Sequence, residues 1–150
     1  MITSAPIKFD DLLSAYEWVS SSSLEENKAF ISRITGNIHL SSSMMDLEEE
    51  LPEDIDDGSI YVSVPHKYEL NLGKNLALTF AQDHLEDLYE TISNIFRHRG
   101  AYGKYKDLLA RKGQLDAWYK YETNSVEFAL RKWATELGLI IVERSGKSMG

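Results

Sequence analysis

Residues 96–121 read FRHRGAYGKYKDLLARKGQLDAWYKY and gather glycine, aromatic rings and positive charge in an otherwise acidic chain. Between residues 97 and 112 stand six basic side chains, Arg97, Arg99, Lys104, Lys106, Arg111 and Lys112, against one acid, Asp107. Basic groups beside Gly100 at the start of an expected helix suit an anion, because free backbone N–H groups and the positive helix end both favour negative charge. The aromatic residues Tyr102, Tyr119 and Tyr121 add flat surfaces, and rings interleaved with cations also suit single-stranded nucleic acid. Glu122 falls near the expected buried edge, where a carboxylate needs a cation such as Arg99, Lys106 or Arg131. The candidate binding residues are therefore Arg97, Arg99, Gly100, Tyr102, Lys104, Lys106, Arg111, Tyr119, Tyr121 and Glu122.

Other chemistries lack their motifs. The chain has no Walker A loop, no dinucleotide glycine fingerprint and no G-x-S-x-G elbow. His39, His66, His84 and His98 have no metal-ligand spacing, and without cysteine neither a thiolate site nor a disulfide can form. The serine runs 20–23 and 41–43 read as breakers and caps. Residues 46–57 hold eight carboxylates and no basic group, yet Gly58 is fifth from Asp54 where a calcium loop needs its glycine sixth. No catalytic residue, metal or cofactor is expected, and residues 44–58 read as a solvated acidic loop.

The surrounding pattern predicts how these groups are held. Phe9, Leu12, Leu13, Tyr16 and Val19 repeat as one face of a helix, with Asp10 placed to cap it. Residues 29–34 and 38–40 form a hairpin through Thr35, Gly36 and Asn37, and Ile60, Val62 and Val64 mark a strand closed by Pro65. Helices follow around Leu72, Leu76 and Phe80, then over residues 85–96, the second opened by Asp83 and Glu86 as a capping box. A helix over 101–112 ends at Gly113. A long one over 114–137 buries Leu115, Trp118, Val126, Ala129, Trp133 and Leu137, turning off at Gly138 into a last strand over 139–142. Trp18 is assigned to the core with Trp118 and Trp133, whereas Tyr119 and Tyr121 point away from the buried line. On the 101–112 helix, Tyr102, Tyr105, Leu108 and Leu109 share one stripe. Lys104 and Arg111 flank one side of it, Arg99 and Lys106 the other, as on an ordinary amphipathic helix.

These elements predict an α+β fold, a small antiparallel sheet of the N-terminal hairpin plus one or two strands packed on a mainly helical C-terminal part. With 150 residues, 43% of them hydrophobic and 16 Trp, Tyr or Phe, a single domain over 1–150 with a substantial core is expected, its flexible tails at 1–6 and 144–150. No stretch approaches the ~18 apolar residues of a membrane span, so a cytoplasmic protein without membrane association is expected. The net charge of −8 is divided unevenly: residues 1–95 carry −13 and residues 96–150 carry +5. Either the two signs neutralise each other within the chain or the basic region serves an anionic partner.

The order Arg99-Gly100-Ala101-Tyr102, Tyr105-Lys106-Asp107, Trp118-Tyr119 and Trp133 resembles an uncharacterised bacterial protein family, number 0158 of the UPF series. Residues 32–38, SRITGNI, look like that family's hairpin, and residues 60–65 like its strand ending in proline; the resemblance covers most of residues 9–139. His98 stands where that pattern places a glycine, and Gly103 and Glu122 where it places basic side chains. The resemblance implies a fold and carries no established activity. Taken with the residues, it leads to an expectation of a small non-enzymatic module recognising an unidentified protein partner through the acidic loop or the exposed flanks of the 101–112 helix. RNA or single-stranded nucleic-acid binding through residues 97–121 is the alternative, and an enzyme built from Glu122 or Tyr119 in a pocket is the third; the oligomeric state stays open.

Overall fold

The computed structural model of the chain describes residues 5–43, 47 and 50–143. The chain folds as two compact units, Met1–Leu70 with Phe128–Gly150, and Asn71–Glu127. The architecture is α+β: a three-stranded antiparallel sheet and a parallel strand pair, with most helices in the C-terminal part.

The first unit begins with strand β1 (Pro6–Lys8) and helix α1 (Phe9–Ser20). The spacing of Phe9, Leu12, Tyr16 and Val19 makes one apolar face, and all four are buried together with Ala15. Lys8 occupies the N-cap position and makes no side-chain cap, while Asp10 lies inside the first turn. Asp10 therefore does not cap through the expected position: the helix begins at Phe9, where the apolar pattern begins, and Asp10 lies two residues past the N-cap position.

Strands β2 (Asn27–Ser32) and β3 (Ile38–Ser42) form the expected hairpin, in register from Asn27 opposite Ser42 to Ile31 opposite Ile38. Strand β4 (Tyr61–Ser63) pairs on the other side of β2, giving the order β3-β2-β4. Alternation along β2 buries Ala29 and Ile31. Gly36 closes the turn at φ +79°, and a Cβ there would lie 2.8 Å from the Pro6 carbonyl oxygen, so both conformation and space require glycine.

Strand β5 (Ile140–Val142) pairs with β1 in parallel, Ile7 opposite Ile141. Residues 5 and 6 are thus not a tail: Ala5 N–H donates to the Arg33 carbonyl at 2.8 Å and Pro6 begins a strand. Three residues are too few to show an alternation, and their partner lies far along the sequence. The expected tails at 1–4 and 144–150 fall outside the described residues, as do Asp46, Glu48 and Glu49 of the acidic loop.

A buried polar corner joins the end of α1 to the segment after β4. His66 is 1% exposed. Its Nδ1 accepts from the Tyr68 N–H at 3.1 Å, so Nε2 carries the proton and donates to the Ser22 carbonyl at 2.8 Å. The Glu69 carboxylate accepts from the His66 N–H and Ser20 Oγ from the Lys67 N–H, at 2.8 and 3.0 Å.

The second unit holds α2 (Lys74–His84), a 3-10 turn (Glu86–Leu88), α3 (Tyr89–Ile95), α4 (Ala101–Arg111) and the first part of α5 (Leu115–Glu136). Its core contains Leu76, Phe80, Ile92, Tyr105, Leu108, Leu109 and Trp118. The expected capping box does not form, since Asp83 is still inside α2 and buried Leu85 makes the corner instead. Helix α4 ends as expected at Gly113, φ +70°, with the Gln114 N–H donating back to the Leu109 carbonyl at 2.8 Å.

Along α5 the expected buried line is only partly right. Trp118 is buried, but further on Leu130 and Ala134 are the enclosed residues; Trp133, like Trp18 on α1, is half-buried and Leu137 is exposed. A single stripe assumes one neighbour along the whole helix. This helix is shared by two units, so the face that needs burial changes along it. Its end follows the expected Schellman pattern, with Leu139 N–H on the Ala134 carbonyl at 2.9 Å and Gly138 at φ +74°.

Candidate functional site

All ten candidate residues lie in the Asn71–Glu127 unit. The chain leaves α3 through tight turns, Arg97 N–H to the Asn94 carbonyl at 3.1 Å and His98 N–H to the Ile95 carbonyl at 3.2 Å, and the His98 ring donates through Nδ1 to the Asn94 carbonyl at 3.1 Å. Gly100 then takes φ +70° at the N-cap of α4. Nothing lies within 4 Å of a Cβ built there, so it is the left-handed conformation and not crowding that selects glycine. The first turn of α4 has no side-chain cap.

From this start the helix separates its side chains as an amphipathic pattern requires. Tyr105, Leu108 and Leu109 turn inward, whereas Lys104 and Arg111 are exposed on one outer stripe. Arg97, Arg99 and Lys112 are exposed beside them. None of these five cations forms an ion pair among the described residues. Asp107 lies between Lys104 and Arg111 on the same outer side and is likewise exposed.

On the inner side stands an aromatic cluster closed by one carboxylate. Tyr102 Oη donates to Glu122 Oε2 at 2.8 Å and accepts from Trp118 Nε1–H at 3.3 Å. The Trp118 ring meets Phe80, Tyr105 and Tyr121 at centroid distances of 5.4, 5.1 and 6.2 Å. Lys106 sets its ammonium 5.0 Å from the Tyr102 centroid, a cation–π contact. The structure thus brings Tyr102, Lys106 and Glu122 together and leaves Arg97, Arg99 and Arg111 on the outside. Glu122 takes a tyrosine hydroxyl and not Arg99, Lys106 or Arg131; Arg131 instead binds Glu143 through two bonds of 2.9 Å.

Tyr119 is exposed as expected, but Tyr121 is not turned away: it packs at 5.0 Å from Phe80 and stacks on Trp118. It stands three positions after Trp118, and Glu122 four, so helical spacing alone places both on the Trp118 face. Two participants were missing from the candidate set. Trp118 enters as a hydrogen-bond donor and Tyr105 as a fully buried ring whose hydroxyl has no hydrogen-bond partner among the described residues; the signal for both was their place on the apolar stripe.

The electrostatics keep these hydroxyls in their protonated form. Burial pushes the Tyr102 hydroxyl well above the usual tyrosine range, with the Glu122 hydrogen bond and charge adding to it. Burial raises Tyr105 too, followed by the nearby Tyr102, Glu122 and Tyr121, and Tyr121 is raised by burial and then Asp83. These hydroxyls stay protonated at neutral pH and offer neither a base nor a nucleophile. A cavity of about 320 Å³ lies beside α1 and β3 and one of about 560 Å³ lies at the turn after α2, lined by His84, Glu86, Lys112 and Gln114; Tyr119 and Glu122 line neither.

Alkaline titration tests this cluster. In the unfolded chain tyrosines ionise near pH 10, whereas Tyr102 and Tyr105 ionise later in the fold. The stabilisation they represent is intact below pH 10 and is lost as pH rises above it, because the unfolded state then releases protons that the folded state keeps. Near-ultraviolet absorbance is expected to show a late group of tyrosines that ionise only as the circular dichroism collapses. Ionisation of all eight tyrosines in one step with the fold intact would contradict the burial of Tyr105 and the hydrogen-bonded placement of the Tyr102 hydroxyl.

Among the described residues no group of three or more His, Asp or Glu side chains is arranged to hold a metal ion, and no helix is long and apolar enough to cross a membrane. No protein-family model, no curated protein and no solved structure matches this chain.

Proposed function

We propose that this chain is a non-catalytic binding module that takes an acidic protein segment on the outer side of α4 and the turn before it. The observation that carries the reading is the set of exposed cations, Arg97, Arg99, Lys104, Arg111 and Lys112, with no ion pair among the described residues. An exposed cation left unpaired is available to an anion at little desolvation cost, and a cluster of them raises both the encounter rate and the discrimination against basic partners. The positive end of α4, open at Gly100, adds to the same field.

The inner aromatic cluster supports this reading over nucleic acid. Tyr102 is the exposed ring on α4, yet its hydroxyl is tied to Glu122 and Lys106 lies over its ring. A base stacking there would have to displace the lysine and approach a carboxylate, which costs part of the stacking gain.

The test is fluorescence anisotropy of a short labelled Glu/Asp-rich peptide against the wild type and the Lys104→Glu, Arg111→Glu double variant. Both positions are exposed, so the fold should be kept, and binding is expected to weaken about tenfold or more. Equal affinity of the two proteins would remove α4 as the site. A single-stranded oligonucleotide that binds tighter than the peptide would replace the protein partner with nucleic acid.

A further inference from the structure

One contact in the Asn71–Glu127 unit plays no part on the outer face of α4. Trp118 is buried, Tyr102 reaches the surface, and their rings meet edge to face with centroids 6.4 Å apart. Trp118 Nε1–H donates to Tyr102 Oη, which itself donates to Glu122 Oε2 at 2.8 Å. The chain has no cysteine, so its readiest one-electron donors are the indoles of three Trp and the phenols of eight Tyr. Of the rings around Trp118, Tyr102 is the one among the described residues whose hydroxyl meets a carboxylate. Tyr105 packs 5.1 Å from Trp118 but its hydroxyl has no hydrogen-bond partner among the described residues. Tyr61, in the other unit, has Asp54 beside its hydroxyl, but its ring neighbour among the described residues is His39 and not an indole.

This arrangement sets the order in which the two rings give up an electron. A phenol that sheds its proton with the electron is oxidised more easily than an indole that keeps its N–H. The Trp118 N–H points at a hydroxyl and not at a base, whereas the Tyr102 proton lies within transfer distance of a carboxylate. Lys106 strengthens the coupling. Its ammonium, 5.0 Å from the Tyr102 centroid, opposes positive charge on that ring, so loss of the electron is favoured only together with the proton.

We propose that Tyr102 is the site where one-electron oxidation of this unit comes to rest, with Trp118 as the electron relay and Glu122 as the proton acceptor. This role is separate from the anion binding on the outer side of α4. An oxidising radical takes one electron from the unit and becomes its anion, leaving Trp118 as a radical cation. One electron then passes from Tyr102 to Trp118 while the Tyr102 hydroxyl proton crosses the 2.8 Å bond to Glu122 Oε2. The products are neutral Trp118, a neutral Tyr102 phenoxyl radical and Glu122 as the carboxylic acid, so charge, proton and electron balance. The Tyr102 ring is exposed where Trp118 is not, which places the radical within reach of a soluble ene-diol reductant such as ascorbate. The reductant returns one electron and releases its own proton to water, and Glu122 gives the hydroxyl proton back. Oxidation is thereby drained from the buried ring that holds the unit together to one that can be repaired from solution.

Flash photolysis of the full chain is the experiment, with light that photoionises tryptophan and nitrate present to take up the ejected electron. In the wild type the indole radical absorption is expected to decay as phenoxyl radical absorption grows, more slowly in heavy water than in light water because a proton moves with the electron. Glu122→Gln keeps an acceptor for the hydrogen bond but takes no proton, and is expected to slow the conversion about tenfold or more. Tyr102→Phe is expected to abolish it. A spin trap followed by peptide mapping is expected to place the wild-type adduct on Tyr102. Conversion as fast in Glu122→Gln as in the wild type, or adducts on the exposed Tyr68 and Tyr119 equal to those on Tyr102, overturns the proposal. Circular dichroism checks that each variant keeps its helices. Should Glu122→Gln lose them, the wild type decides alone: no isotope effect together with no preference for Tyr102 in the adduct map overturns the proposal, and both together uphold it.

Discussion

Replacing Trp118 by alanine is expected to destabilise the Asn71–Glu127 unit by about 3–5 kcal/mol, the usual cost of removing a large buried ring. The side chain is 1% exposed and meets four other aromatic rings, Phe80, Tyr102, Tyr105 and Tyr121. Its loss opens a cavity bounded by rings whose positions are fixed by one another, so little of the space can close. It also removes the Nε1–H that Tyr102 Oη accepts, leaving that oxygen held on one side only, by its own donation to Glu122. Trp118→Phe separates the two effects: it keeps most of the ring and loses the donor, and should cost about 1 kcal/mol beyond repacking. Urea unfolding followed by circular dichroism measures both. A Trp118→Ala cost below about 1 kcal/mol would show that the cluster does not hold the unit together.

The second large effect is expected at His66. Substitution by leucine keeps bulk but removes both ring nitrogens, leaving the Tyr68 N–H and the Ser22 carbonyl without their partners in a buried corner. An abandoned buried donor or acceptor costs about 1–3 kcal/mol each, so a loss of about 3 kcal/mol is expected. His66→Gln should recover part of it, since the amide reaches with a donor and an acceptor where leucine has neither. Equal stability of the leucine and glutamine variants would mean that the corner is held by packing and not by hydrogen bonds.

The features that sequence predicted well were those set by a local period. Helix α1, the β2–β3 hairpin, strand β4 and the glycine-terminated helices α4 and α5 each follow from spacing and turn chemistry within a few residues. Strand β1 was hidden because its partner lies more than a hundred residues away, and no local pattern reports that. The corner at Leu85 was misjudged because Asp83 and Glu86 have the right spacing for a cap while burial of Phe80 and Ala81 keeps the helix going past it. At the candidate site, the outward cations were legible from the helical wheel. The Glu122 contact was not, because the wheel gives the face a carboxylate shares and not which group on the next helix meets it. A tyrosine hydroxyl took the place expected for a cation.

The parallel pairing of β1 with β5 bears on how the chain is made. Residues 6–8 leave the ribosome long before residues 140–142, against which they pair. Closing so long a loop costs about 4 kcal/mol in chain entropy, so the pair is expected to form after the elements between its strands. Until then Ile7, 2% exposed in the finished fold, is an apolar side chain without its strand partner. The nascent chain thus carries an unfinished edge until β5 is made, and its completion marks a late step of folding.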